Sequence, residues 1–268
     1  MQHMKKMLAI CALLTLTIMG CKKDAVMVED ETISQDVLSK VYQHGFGTSD
    51  VKKVEDGYLV EGDIVLTNEF LDSKPGGNFL RIANEEQYRT TNLVTGLPRT
   101  ITMSLHSKLS SKAGYAEALQ EVADRYNAEN IGLTFSVVAS GGNIQFVNGN
   151  GPYLASAGFP SGGNPYNKVT VYSRNIGTGT STTFINYLAT ILTHEVGHCI
   201  GFRHTDYFNR ALSCGGSPTN EGASTVGAVH IPGTPTGFDA GSFMLSCIGR
   251  NENRFFNNND KTALDYLY

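Results

Sequence analysis

At 268 residues and 41% hydrophobic content the chain is long enough for one large or two small domains with a real core, and it is not a disordered polymer. Lys and Arg total 21 against 25 Asp and Glu, a net charge of -4, so no global attraction to nucleic acid is built in and no nucleic-acid partner is expected. Glycine is abundant at 29 and tryptophan is absent, which points to many turns without choosing a function.

The chain opens on an export signal. Lys5 and Lys6 precede an apolar run, Met7 to Ile18, that is too short for a comfortable membrane span. Residues 1–20 are therefore expected to be cleaved. The run ends Leu16-Thr17-Ile18-Met19-Gly20-Cys21, which resembles a bacterial lipobox. That resemblance implies acylation of Cys21 and a membrane anchor outside the cytoplasm, on the outer membrane or at the cell surface. An ordinary signal followed by an incidental cysteine is the plainer alternative.

From Asp24 to about Arg99 the sequence is more charged and less regular, with a short helical pattern at Val37, Leu38 and Val41 and an alternating stretch from Tyr58 to Leu66. Lys74-Pro75-Gly76-Gly77-Asn78 signals a turn or linker, and the apolar pattern becomes denser only after Pro98. Residues 21–98 read as a separable pro-segment or accessory region, and residues 99–268 as the main domain.

Within that domain Ile101 to Leu105 alternates as a strand, and Ser111 to Asn127 sets Tyr115, Leu119, Val122 and Tyr126 at helical spacing. Leu133 to Ala139 and Ile144 to Val147 read as two strands around Gly141-Gly142-Asn143, a punctuation that predicts an antiparallel hairpin. Tyr153 to Phe159 reads as an edge strand closed by Pro160, and Lys168 to Ser173 as a central one. A second long helix is expected from about Thr182 to Gly201. Beyond His204 the chain is loop-rich until Asp260, which is predicted to N-cap a closing helix carrying Ala263, Leu264 and Leu267.

The chemistry is concentrated in His194-Glu195-Val196-Gly197-His198-Cys199-Ile200-Gly201-Phe202-Arg203-His204, which satisfies HExxHxxGxxH in full. Residues four apart on a helix differ by about 40° in direction, so His194 and His198 face one ion from successive turns. Gly201 takes positive φ without a Cβ clash and lets the chain swing His204 towards the same ion. Three imidazoles leave one corner of a catalytic Zn²⁺ open for water, and Glu195, next to the first ligand, is placed to act as general base in attack on a peptide carbonyl. A closed structural zinc site in a non-catalytic adhesion or binding protein is the alternative; it gives Glu195 nothing to do. Ile185, Leu188, Leu192, Val196 and Cys199 share the opposite, core-facing side of the helix. With Cys199 buried, Cys214 and Cys247 are the pair expected to form a disulfide, although other pairings stay open.

This long histidine motif resembles the metzincin metallopeptidases, and Ser242-Phe243-Met244 resembles their methionine turn, which implies Met244 as an apolar floor under the histidines. The stretches from His194 to Asp206 and from His230 to Cys247 resemble the bacterial dual-action HEIGH metallopeptidases. The resemblance implies an α+β fold: a mixed twisted sheet with a backing helix and an active-site helix, then a loop-rich C-terminal subdomain with the methionine turn and a C-terminal helix. It also implies a zinc endopeptidase acting on protein or peptide substrates. Astacin-like members carry a tyrosine two residues after that methionine, where this chain has Ser246. Val60-Glu61-Gly62-Asp63-Ile64 is similar to the propeptide motif of astacin zymogens, implying Asp63 as a latency ligand; a glycine turn bearing a solvated aspartate is the alternative. A cysteine latch is excluded, since no cysteine lies between 22 and 198. Substrate is expected to pair with the edge strand from Tyr153 to Phe159. Asp206 and Tyr207 either lie near the cleft or brace the C-terminal loops.

Overall fold

The computed structural model describes residues 32–74, 87–218, 220, 228–235 and 237–268. The export signal, Cys21 and most of the linker at 75–78 lie outside them. In chain order the elements begin with α1 (Gln35–Gln43), β1 (Lys52–Val54), β2 (Gly57–Val60), β3 (Ile64–Leu66), α2 (Asn68–Asp72) and β4 (Tyr88–Arg89). Then come β5 (Arg99–Leu105), α3 (Ser107–Ser110), α4 (Tyr115–Asn127), β6 (Leu133–Val137), β7 (Ile144–Asn148), β8 (Ala155–Gly158), β9 (Lys168–Val171), α5 (Ser173–Ile176) and α6 (Thr182–Ile200). The chain closes with β10 (Phe202–Arg203), α7 (Ala211–Cys214), β11 (Val229–His230) and α8 (Asn258–Leu267).

The fold is α+β. Its main sheet is mixed, in the order β1-β2-β3-β8-β9-β7-β5-β6, and a small second sheet has the order β10-β4-β11. Residues 33–74 do not form a body of their own: Ile33–Tyr268 pack as one unit, and β1, β2 and β3 prolong the main sheet. Helices α4 and α6 pack together, α4 over β6 and α6 over β8 and β9. Leu119, Val122 and Tyr126 meet Leu188, Leu192 and Val196 there, above Ile101, Phe135, Phe146 and Val169. Each such side chain contributes roughly 1.5–3 kcal/mol on burial, which holds α6 firmly against the sheet. A smaller core joins Val41, Phe46, Val60, Ile64, Leu66 and Leu71 of the N-terminal segment to Phe159, just beyond β8.

Four local expectations are corrected. β6 and β7 are not a hairpin: β5 lies between them and both run parallel to it. The chain changes flank at Met103, where a Cβ on Gly142 would come within 2.8 Å of the Met103 and Ser104 backbone, so this glycine answers a close approach rather than a tight turn. β8 is not an edge, because β3 pairs with it in parallel, Ile64 opposite Ala157 and Val65 opposite Gly158. The alternating run from Tyr58 to Leu66 is two antiparallel strands joined through Glu61, Gly62 and Asp63, the first two at φ 54° and 90°. Finally, Asn257 caps α8, and Asp260 completes the capping box from inside the helix.

Candidate metal centre

Helix α6 starts at Ser181, whose side chain accepts a bond from Phe184 N–H, and is buried continuously from Tyr187 to Ile200. It ends at Gly201, in the left-handed conformation at φ 117°, where a Cβ would stand 2.8 Å from the carbonyl oxygen of Asn92. The chain then enters β10, which is fixed by antiparallel pairing with β4, Phe202 opposite Arg89 and Arg203 opposite Tyr88. This short strand carries His204 back to the helix. The three ring centroids lie 4.7 Å (His194–His198), 4.9 Å (His198–His204) and 5.3 Å (His194–His204) apart.

Each helical imidazole is oriented from behind. His194 Nδ1 is 2.9 Å from the Phe243 carbonyl and His198 Nδ1 is 2.8 Å from the Phe202 carbonyl, so both Nδ1 atoms donate and both Nε2 lone pairs point inward. The buried Nε2 atoms of His194 and His198, Oδ1 of Asp63 and Oε2 of Glu195 have no hydrogen-bond partner among the described residues. Ligand atoms of Asp63, His194, His198 and His204 all lie within 4.8 Å of one another. Asp63 Oδ2 is 3.2 Å from His204 Nε2 and 3.4 Å from His194 Nε2. A tetrahedron with bonds of about 2.0–2.2 Å has edges of roughly 3.3–3.6 Å, close to these two separations, so this donor set fits a zinc ion.

The electrostatics agree with that fit. Burial, followed by the neighbouring His194 and His204, holds His198 well below the ordinary histidine range, leaving it neutral as a ligand requires. Burial opposes ionisation of Asp63, but His204, His194 and His198 outweigh it and hold the carboxyl well below its usual range. Burial, then the charge of Asp63, pushes the Glu195 carboxyl well above its usual range against the pull of His204. A cavity of about 210 Å³ opens beside this group, with Asp63, Tyr153, Leu154, His194, Glu195 and Arg210 among its walls.

Beneath the helix lies Met244. A Cβ on Gly197 would come 2.5 Å from the Met244 sulfur and 2.9 Å from the Phe243 ring, so the glycine between the two histidines is what lets this segment approach. The sequence reading left Gly197 without a role; a glycine inside a helix costs about 1 kcal/mol relative to alanine, and that cost was its available signal. The Met244 carbonyl accepts from Thr205 N–H at 3.0 Å, tying the segment to the residue after the third histidine. Asp260 is the post behind it: its carboxylate accepts from Gln87 Nε2 at 2.7 Å, Ser242 Oγ at 3.0 Å and Phe243 N–H at 3.2 Å. Asp206 is fully buried and braces the loops, accepting from Ser246 N–H and from the Ser213 and Ser246 hydroxyls. Tyr207 is also buried and packs edge-on to Tyr88 at 4.5 Å. Cys214 and Cys247 form a disulfide across the same loops, while Cys199 is free and buried.

On the other side of the cleft stands the tip of the β2–β3 hairpin. Arg210 donates to the Glu61 carbonyl, and its guanidinium lies 2.7 Å from where a Cβ of Gly62 would be. Ala157 N–H on β8 donates to the Asp63 carbonyl at 2.9 Å. The Asp63 side chain is only 13% exposed, so this is a glycine turn but not one with a solvated aspartate.

The sequence profile of a family described as dual-action HEIGH metallo-peptidase matches residues 59–268 of this chain. No curated protein matches it. Among solved structures it is similar to myroilysin, at 15% identity and a TM-score of 0.41, over 67% of this chain and 96% of that one. It is also similar to high choriolytic enzyme 1, a hatching enzyme zinc-protease from Oryzias latipes (medaka), at 14% identity and a TM-score of 0.37, over 63% of this chain and 88% of that one.

Proposed function

The chain belongs to the dual-action HEIGH metallopeptidases, and from that premise we propose a latent zinc endopeptidase, exported as a lipoprotein and plugged by its own N-terminal segment. One observation carries the latency: Asp63 Oδ2 stands 3.2 and 3.4 Å from the Nε2 atoms of His204 and His194, where a fourth ligand belongs. The same segment covers β8, the strand along which an extended substrate would pair.

Three imidazoles, of His194, His198 and His204, would hold the metal, and the Asp63 carboxylate would be its fourth ligand in the latent chain. A zinc ion, when bound, would supply Lewis acidity, making a water proton easier to remove and polarising the scissile carbonyl. Glu195 accepts the proton of the attacking water and returns it to the leaving amine. Met244 is the apolar floor that fixes the two helical histidines from below. Substrate reaches them once the part of the segment that bears the β2–β3 hairpin, N-terminal to β4, leaves the cleft, while β4 stays paired with β10. Export rests on Lys5, Lys6 and the Met7–Ile18 run, and acylation of Cys21 holds the enzyme to a membrane outside the cytoplasm.

The test is a casein digest by full-length protein before and after limited proteolysis, with zinc content measured in parallel. Proteolysed wild type should cleave, chelator should abolish cleavage, and Glu195→Gln should lower it about 10²–10⁴-fold with zinc retained. A Glu195→Gln protein as active as wild type would remove the assignment of the base. A protein that binds zinc but cleaves nothing at any stage would favour the adhesion or binding reading.

A further inference from the structure

Arg203 lies between the core residue Phe202 and the ligand His204, and it is completely buried. Strand alternation sends Phe202 into the main core and Arg203 to the opposite side. Its polar partners all come from one region. Nη2 donates to both carboxylate oxygens of Glu61 at 2.7 Å, and Nη1 donates to the Gly45 carbonyl at 3.0 Å. The guanidinium also lies 4.2 Å from the centre of the Phe46 ring. Gly45, Phe46 and Glu61 all belong to the 21–98 segment. Among the described residues outside that segment, the Tyr207 ring stands 5.9 Å from the cation.

A buried guanidinium deprived of its carboxylate is strongly unfavourable, so departure of the segment must give Arg203 either water or another anion. The geometry identifies where that anion arrives from. Glu61 and Asp63 share one hairpin tip: Asp63 faces the histidines, Glu61 faces Arg203, and the Glu61 carbonyl between them is gripped by Arg210. The tip is thus held at three points, by the ligand set, by a main-chain clamp and by a buried guanidinium whose Nη2 donates to both oxygens of one carboxylate. A chain taking the same path through the cleft would present its own side chain to that guanidinium.

Resting on the reading that the segment is a removable plug, we propose that Arg203 is a carboxylate-binding subsite, filled by Glu61 in the latent chain and by an acidic side chain of the substrate afterwards. The processed enzyme is then selective for peptides bearing Asp or Glu at one fixed position relative to the cut. The charge-assisted pair gives that selectivity because a neutral amide leaves the buried guanidinium without its counter-charge.

The test uses the full chain with one engineered protease site in the 75–86 stretch, cut after folding so that the N-terminal piece is held by contacts alone. In the first measurement the piece carries a fluorophore and its dissociation is followed: Glu61→Gln should speed release about tenfold or more, and an unchanged rate overturns the inference. In the second, the cut protein digests an unbiased peptide library read by mass spectrometry. Asp and Glu should be enriched about tenfold at a single position, and Arg203→Gln should bring that ratio near one. Arg203→Lys, which keeps the charge but cannot also reach the Gly45 carbonyl through a second nitrogen, should keep part of it, and serves if the Gln variant fails to hold zinc. A library cut without acidic preference, or a preference that survives Arg203→Gln, overturns the subsite. A library left uncut while Glu61→Gln still accelerates release sinks the peptidase reading instead, and leaves Arg203 as a carboxylate site for the segment.

Discussion

The two sides of the cleft are built by opposite means. On one side, eleven consecutive residues from His194 to His204 form a capped helix, a left-handed glycine and a paired strand, and the helical imidazoles are pinned from behind by the carbonyls of Phe243 and Phe202. On the other, three residues at a hairpin tip, with Glu61 and Gly62 at positive φ, are held by side chains more than 140 positions away. The first side is fixed by local backbone geometry; the second only by what it touches. The braces of the helical imidazoles lie outside the hairpin, which is the asymmetry that the proposed removable plug requires.

Breaking the rigid side should have the largest effect. His198→Ala removes a neutral ligand whose Nδ1 is already committed to the Phe202 carbonyl, so zinc should no longer bind stoichiometrically and hydrolysis should vanish, as measured by mass spectrometry of the metal and by casein digest. Breaking the other side should act in the reverse sense. Asp63→Ala should retain zinc and raise hydrolysis by the unprocessed chain about tenfold or more; a variant as silent as wild type before processing would remove the latch.

Smaller effects sharpen the comparison by separating support from chemistry. Reducing the Cys214–Cys247 link, or replacing both residues by serine, frees a loop of 33-residue separation and should cost about 3–4 kcal/mol by the loop-entropy estimate. Denaturant midpoints read this, and zinc should stay bound in the folded fraction. Asp260 should give a signal confined to one pH window. Burial pushes its carboxyl up to about 7, against the bonds from Asn257, Phe243, Ser242 and Gln87. In the unfolded chain the value is about 3.9, so the folded state keeps this proton longer and the group favours folding increasingly as pH falls from about 7 towards 4. The stability difference between wild type and Asp260→Asn should therefore shift in favour of wild type over that window and be flat above pH 8.

The same contrast explains what was legible in the sequence. The active-site helix, its glycine stop and the three histidines are set by spacings within one turn or two, which periodicity and motif record directly. Strand order is not recorded that way. Gly141-Gly142-Asn143 looks like a hairpin turn, yet the chain crosses β5 there, and the Asn143 side chain accepts from Thr102 N–H at 2.9 Å. Asp260 looks like a cap because it follows three asparagines; only the fold reveals that its carboxylate also supports Ser242 and Phe243. Arg203 and Arg210 carry no local signal, because their partners at residues 45–62 lie far away in the sequence.

The pairing of β3 with β8 has a further consequence for the life of the unprocessed polypeptide. A strand with unpaired amides and carbonyls is adhesive towards any extended chain, its own copies included. In this molecule β3 already sheathes that row, so this edge of β8 is not offered to neighbouring chains as a template for self-association. On the proposed function, sheath and substrate would compete for one set of backbone groups, and shedding the first would make the row available to the second.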